Sequence, residues 1–143
     1  MDLNMECMQM LRMLPNDAQV KVHQTMAQRA VDCCHAHLQD LYVWGHDENS
    51  WSVQFTKAKM RVYYSVIQGD AAKCRAAIKN VKPLAYKILD EVMEGASVGI
   101  VRGQDKTYVG EDGHTDENAR QLGHTLKITL DRMEEMCAAI EQQ

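Results

Sequence analysis

The stretch WSVQFTKAKMRVYYSVIQ-GD-AAKCRAAIKNVKPLAYKILDEVME, residues Trp51 to Glu94, decides the fold. Its apolar positions Trp51, Phe55, Ala58, Val62 and Val66 recur every three or four residues. So do Cys74, Ala77, Ile78, Val81, Ala85, Ile88 and Val92. That spacing lays an apolar stripe along one side of an α-helix. Gly69 suits the left-handed position after a helix end, and Asp70 suits the N-cap of the helix that follows. The stretch therefore predicts two helices joined by a tight corner. Pro83 falls about three turns into the second helix, where it removes a backbone donor and predicts a kink or split near Asn80. Gly95-Ala96-Ser97 closes that helix.

Part of the same stretch also fits strands. Trp51, Val53 and Phe55 alternate with Ser52, Gln54 and Thr56, and Met60, Val62, Tyr64 and Val66 alternate with Arg61, Tyr63 and Ser65. Alternation with β-branched residues favours extended chain. An α+β protein with a β-meander at 41–67 is the alternative fold. The Lys57-Ala58-Lys59 break in the alternation and the Gly69-Asp70 corner favour the helix.

Towards the N-terminus, Leu3 to Leu14 reads as a short helix, with Met5, Met8 and Leu11 on one side and Met10, Met13 and Leu14 beside them. Pro15 stops it. Asn16 or Asp17 caps a long helix that runs to about Val43, with an inward set of Val20, His23, Ala27, Ala30, Val31, Cys34, Leu38 and Leu41. Trp44-Gly45 ends it, and Ser50 caps the helix at Trp51. Towards the C-terminus, Val98 to Val101 and Thr107 to Val109 flank a polar turn and predict a small β-hairpin. The last helix starts at Thr115 or Asp116. Its stripe is Leu122, Leu126, Thr129, Leu130, Met133, Met136, Cys137 and Ile140. A likeness between Lys87–Glu94 and Lys127–Glu135 fits a duplicated helical hairpin, but two amphipathic helices with acidic outer faces would share it by chance, and that is the preferred reading.

Composition agrees with a helical reading. A length of 143 residues predicts a single domain over residues 1–143. Aromatics make up only 6% while there are ten methionines and two prolines, which suits helix packing better than sheets. The expected fold is all-α, a bundle of four main helices with a short N-terminal helix and one small β-hairpin. The N-terminus has no basic segment followed by an apolar run, so a secretory signal is not expected. No apolar run approaches the ~20 residues of a membrane span. Five cysteines, an odd number with Cys33 and Cys34 adjacent, do not resemble a disulfide framework. They read as reduced thiols, at least four of them packed and structural, in a cytoplasmic protein.

Charge is segregated along the chain. From Lys57 to Lys87 there are eight Lys or Arg and one acid, Asp70, so this segment carries +7 while the whole chain carries −4. Lys57, Arg61 and Tyr64 share one helical face. Arg75, Lys79, Lys82 and Tyr86 share a face of the next helix. These seven residues are the candidate binding site. Cations interleaved with tyrosines hold acidic protein surfaces or phosphates. A solvated face, paired with the acidic outer side of the last helix, is the plainer reading. A net-acidic chain repels a polyanion at long range, so nucleic acid is disfavoured.

Four other arrangements carry weaker chemistry. Cys33 and Cys34 with His37 offer at most two positions on a metal, and no second pair with matching spacing completes a zinc site. The methionines of the first helix suit a soft metal, and more often an apolar contact. Asp90, Glu91 and Glu94 with Asp131, Glu134 and Glu135 would hold a divalent ion only if the two acidic helix ends met. Arg29 and His35 are six residues apart, too far round a helix to share a face. Neither a cofactor nor a metal is predicted, and the enzyme reading, a metal-dependent nucleotide or phosphoester hydrolase, stays second. The expected function is a small interaction module, adaptor or regulatory, docking a protein with an acidic surface through the basic helical hairpin. A homodimer in which acidic and basic faces meet is a further partner reading.

Overall fold

The structure is a computed structural model that describes residues 3–96, 101–102, 108–109 and 117–143, with side chains within 6–7, 9–88 and 123–143. The described chain is mostly helical: α1 (Leu3–Arg12), α2 (Asn16–Val43), α3 (Trp51–Gln68), α4 (Ala71–Ala96) and α5 (Glu117–Glu141). Of the predicted hairpin, Val101–Arg102 (β1) pairs antiparallel with Tyr108–Val109 (β2). The rest of that segment lies outside the described residues.

The corner between α3 and α4 forms as its sequence dictates. Gly69 adopts φ +69°, and its N–H donates to the Val66 carbonyl at 3.0 Å. The Asp70 N–H reaches back to the Ser65 carbonyl at 3.1 Å. This pair of bonds satisfies the carbonyls that a helix end leaves open. The Asp70 carboxylate then accepts the Lys73 N–H at 3.0 Å and caps α4. Gly45 ends α2 in the same way, at φ +93° with His46 N–H donating to the Leu41 carbonyl.

The β-meander alternative at 41–67 does not form, because α3 is one uninterrupted helix. Val53, Phe55, Thr56, Ala58, Met60, Val62, Tyr63, Ser65 and Val66 are all buried. At ~100° per residue they occupy about two-thirds of the helix circumference. The helix packs against α2, α4 and α5, which explains so wide an arc. Apolar residues then appear at i+2 as well as i+3 and i+4, and mimic alternation. The mimicry breaks at Tyr64, which is exposed while its neighbours Tyr63 and Ser65 are buried. The buried hydroxyls of Thr56 and Ser65 are satisfied locally. Thr56 donates to the Ser52 carbonyl at 2.8 Å, and Ser65 donates to the Arg61 carbonyl at 2.7 Å.

Several smaller expectations change. Pro83 does not split α4 near Asn80: it sits exposed inside a helix that continues to Ala96. Its missing N–H costs one backbone bond, and the flanking buried residues Val81, Ala85 and Ile88 hold the helix to the core. Pro15, not Asn16 or Asp17, occupies the N-cap of α2. Asn16 instead donates to the Ala139 carbonyl of α5 at 3.1 Å. Ser50 stands at the N-cap of α3 without capping it, because its hydroxyl pairs with His46 Nδ1 at 2.7 Å. Two cysteines, Cys7 and Cys33, are exposed rather than packed, so three thiols and not four lie in the core. Cys33 is one residue, and so about 100°, from buried Cys34.

The inward set of α2 is buried, apart from half-buried Ala30. On α5, Met133, Met136, Cys137, Ala139 and Ile140 are buried and Leu126 and Leu130 pack against them. His23 stands out among these apolar neighbours. It is 1% exposed, and its Nδ1 has no partner among the described residues. Burial lowers its pKa, opposed by the negative charge of Glu135. Glu135 itself is held by Arg12.

Two consequences are measurable. Met133→Ala, at a fully buried position, is expected to cost about 3 kcal/mol in urea unfolding. Met13→Ala, at a position 85% exposed, should stay within about 0.5 kcal/mol. The second concerns pH. The unfolded chain protonates His23 at its ordinary value near 6.5, whereas the folded chain resists protonation to lower pH. Between those values the unfolded state holds more protons, so stability falls as pH drops below about 6.5. Urea midpoints of His23→Gln should fall less steeply than wild type over that range.

Candidate interaction face

The sequence groups seven residues into one basic site, and the structure divides them between two seams. Contacts across the helices sort the cations of α4. Lys73 donates to Gln68 of α3 at 3.4 Å, and the Lys87 ammonium lies 5.7 Å from the centre of the Trp51 ring at the start of α3. Arg75 pairs with Glu141 of α5 at 2.8 Å, and Lys82 with Glu134 of α5 at 2.5 Å. Lys73 and Lys87 therefore border α3, while Arg75 and Lys82 border α5. Two residues of offset, about 200° of rotation, separate the rows. Lys79 and Tyr86 belong with the α5 row by helical phase; Lys79 is exposed and Tyr86 half-buried.

Lys57, Arg61 and Tyr64 stay together on the narrow solvent strip of α3. The Lys57 ammonium pairs with Glu48, whose carboxylate also accepts the Tyr42 hydroxyl. The hydrogen bond from Lys57, and then that from Tyr42, pulls the Glu48 carboxyl below its ordinary value. The same bonds raise Lys57 and Tyr42. Tyr64 is 41% exposed, with its hydroxyl 3.2 Å from His35 Nε2 of α2. Arg61 is exposed and makes no ion pair with a described residue. At the end of α2, Val43 is 81% and Trp44 66% exposed, and the Trp44 ring meets His37 edge-on.

The face thus redrawn holds Lys57, Arg61 and Tyr64 with Lys73 and Lys87 on one flank and His35 and Tyr42 on the other. Sequence reasoning missed the flanks. A signal existed for one of them: Lys73, Asn80 and Lys87 recur every seven residues, which returns a helix to nearly the same face. The tyrosine and histidine of α2 carry no such signal, because their place depends on how α2 is rotated against α3.

One cation points elsewhere. Lys59 is half-buried on α3, with its ammonium 4.8 Å from the centre of the Phe55 ring. Desolvation lowers its pKa, opposed by the nearby Cys34 thiol. Tyr63, buried beside Cys34, has its phenol pushed up to about 12 by the same desolvation. These three groups are part of the core rather than of the basic face.

The weaker arrangements are also placed. Cys34 is buried, whereas Cys33, His35 and His37 are exposed. Arg29 is exposed, and His35 pairs with Tyr64 rather than with it. No group of three metal-ligating side chains gathers among the described residues. The pairs Arg75–Glu141 and Lys82–Glu134 fix α4 and α5 as antiparallel and set their register. That register puts Asp131 level with Ala85. Residues 90 and 94 then lie ~7 and ~13 Å further along the axis. The side chains of Asp90, Glu91 and Glu94 lie outside the described residues. Glu134 and Glu135 are each engaged by a cation, Lys82 and Arg12. Among the described residues no helix is long and apolar enough to cross a membrane.

Charge reversal should separate the two rows. Lys82→Glu replaces an exposed ion pair with a repulsion and is expected to lower stability by up to about 1 kcal/mol, an effect that salt suppresses. Lys79→Glu, with no ion pair to a described residue, should leave the urea midpoint unchanged. Comparison of the chain with protein-family models, with curated proteins and with solved structures found no match.

Proposed function

We propose that the chain is a small protein-interaction module, without catalysis of its own, that docks an acidic partner surface on the solvent strip of α3. The observation that carries this reading is Arg61. It is an exposed guanidinium without an ion pair among the described residues, and exposed Tyr64 shares its strip. Lys57, Lys73 and Lys87 surround the pair. Arginine and tyrosine are the residues that most often anchor protein interfaces. Tyr64 and His35 hold each other in place, so little side-chain freedom is lost on binding. Arg75 and Lys82 are left out of the site because α5 already neutralises them. In this reading α2 to α5 form a four-helix bundle whose α3 strip is the working surface. The setting inferred is the cytosol, supported by three free thiols in the core.

The test is capture with purified full-length chain as bait, at low and high salt. A partner held by wild type should lose at least tenfold in affinity with Arg61→Glu and with Tyr64→Ala, and should elute as salt rises. Arg75→Glu should retain it. Equal retention by Arg61→Glu and wild type would remove the α3 strip as the site. RNA or DNA in the eluate, with affinity falling steeply with salt, would reassign the face to nucleic acid. A second copy of the chain would make it a dimer interface.

A further inference from the structure

The sulfur atoms of the chain divide by burial. Met60, Met133 and Met136 are buried, and Met26 packs against the core. Among the described methionine side chains only Met10, 68% exposed, and Met13, 85% exposed, face water. They lie at the end of α1, and exposed Cys7 stands three residues before Met10 on the same helix. We propose that Cys7, Met10 and Met13 form a binding site for a soft monovalent metal ion, Cu(I), on a surface that the α3 strip does not use.

The spacing sets the three sulfurs in a row. Cys7 and Met10 are neighbours on α1, with ~5–6 Å between Cβ atoms. The helix ends at Arg12, and the Met13 N–H donates to the Met10 carbonyl at 3.1 Å. A turn closed by a bond of this span eclipses the side chains at its two ends, so Met10 and Met13 share a side. Long helical side chains lean back over the preceding turn, which brings a methionine at 10 towards a cysteine at 7. The three rotatable bonds of methionine then let both thioethers close on one ion. Other residues hold α1 to the body. Leu11 is buried, and Arg12, the one basic residue of the helix, is engaged by Glu135 of α5. The three exposed sulfurs are therefore left over from folding, with no α1 cation free to repel a metal.

The donor set selects the metal. Thiolate and thioether are soft donors that favour Cu(I). Zinc sites are built instead from cysteine, histidine and carboxylates, and those types form no group of three among the described residues. Cys7 binds as the thiolate, so its proton passes to solvent as the ion enters, and no electron changes hands. One anionic and two neutral sulfurs leave a monovalent ion with no net charge. Exposed Glu6, next to Cys7, adds attraction for a cation.

The test titrates the reduced, full-length protein with Cu(I), supplied as its acetonitrile complex under argon, against a chromogenic Cu(I) chelator. One equivalent should stay on the protein. The ε-methyl NMR signals of Met10 and Met13 should move while that of buried Met133 stays. Cys7→Ser, Met10→Leu and Met13→Leu should each weaken binding about tenfold or more. Cys33→Ser, which removes the other exposed thiol, should bind as wild type. All four positions are exposed, so each variant should keep the wild-type urea midpoint, and a loss of binding then reports the ligand rather than the fold. Zn(II) at equal concentration should leave the copper in place. Failure to take up Cu(I) overturns the proposal. So does wild-type affinity in Met10→Leu and Met13→Leu, or loss of the ion in Cys33→Ser.

Discussion

The enclosure of α3 is the constraint on which the rest of this molecule depends. A helix wrapped on three sides keeps only a narrow strip for water. Every polar group on it is either on that strip, satisfied by its own backbone, or costly. Thr56 and Ser65 take the second course by bonding back to carbonyls one turn earlier. Lys59 is the costly exception, its ammonium resting over the Phe55 ring. Lys57, Arg61 and Tyr64 take the strip. The burial that builds the core thus also gathers the most exposed basic and aromatic groups of α3 in one place.

Helix phase does the remaining sorting. A cation on α4 has no fixed role until the helix is rotated against its neighbours. Arg75 and Lys82 then meet α5 carboxylates, and Lys73 and Lys87 meet α3. The segregation of charge along the sequence is real, but two of its eight cations, Arg75 and Lys82, are paired across the α4–α5 seam. What remains uncancelled is smaller than the +7 of the segment and is displaced towards α3.

How much of this was legible follows from which interactions are local. Gly69 and Asp70 set a corner with bonds spanning five residues or fewer, and the sequence places that corner to the residue. The inward face of α2 was equally plain, because only one side of that helix meets the core at each level. On α3 the periodicity was blurred by burial on several sides, so strand alternation remained a competitor until the packing was known. Caps were read less well: Asn16 and Ser50 are good capping residues, yet each is drawn to a partner outside its own helix. The functional face was half legible for the same reason. Residues on one helix can be grouped from spacing, whereas His35 and Tyr42 join the α3 strip only through the rotation of α2.

The ties between the two ends of the chain bear on how it is made. Arg12 holds Glu135, and Asn16 donates to the Ala139 carbonyl, each across 123 residues of sequence. These partners exist only when synthesis has passed α5. Until then the face of α2 around His23 and Val20 has no α5 to cover it, while α2, α3 and α4 can already pack on one another. A nascent chain therefore carries an open apolar trough for the time taken to translate residues 97 to 140, several seconds at ~5–20 residues per second. Its demand on chaperones during synthesis is set by that one late helix.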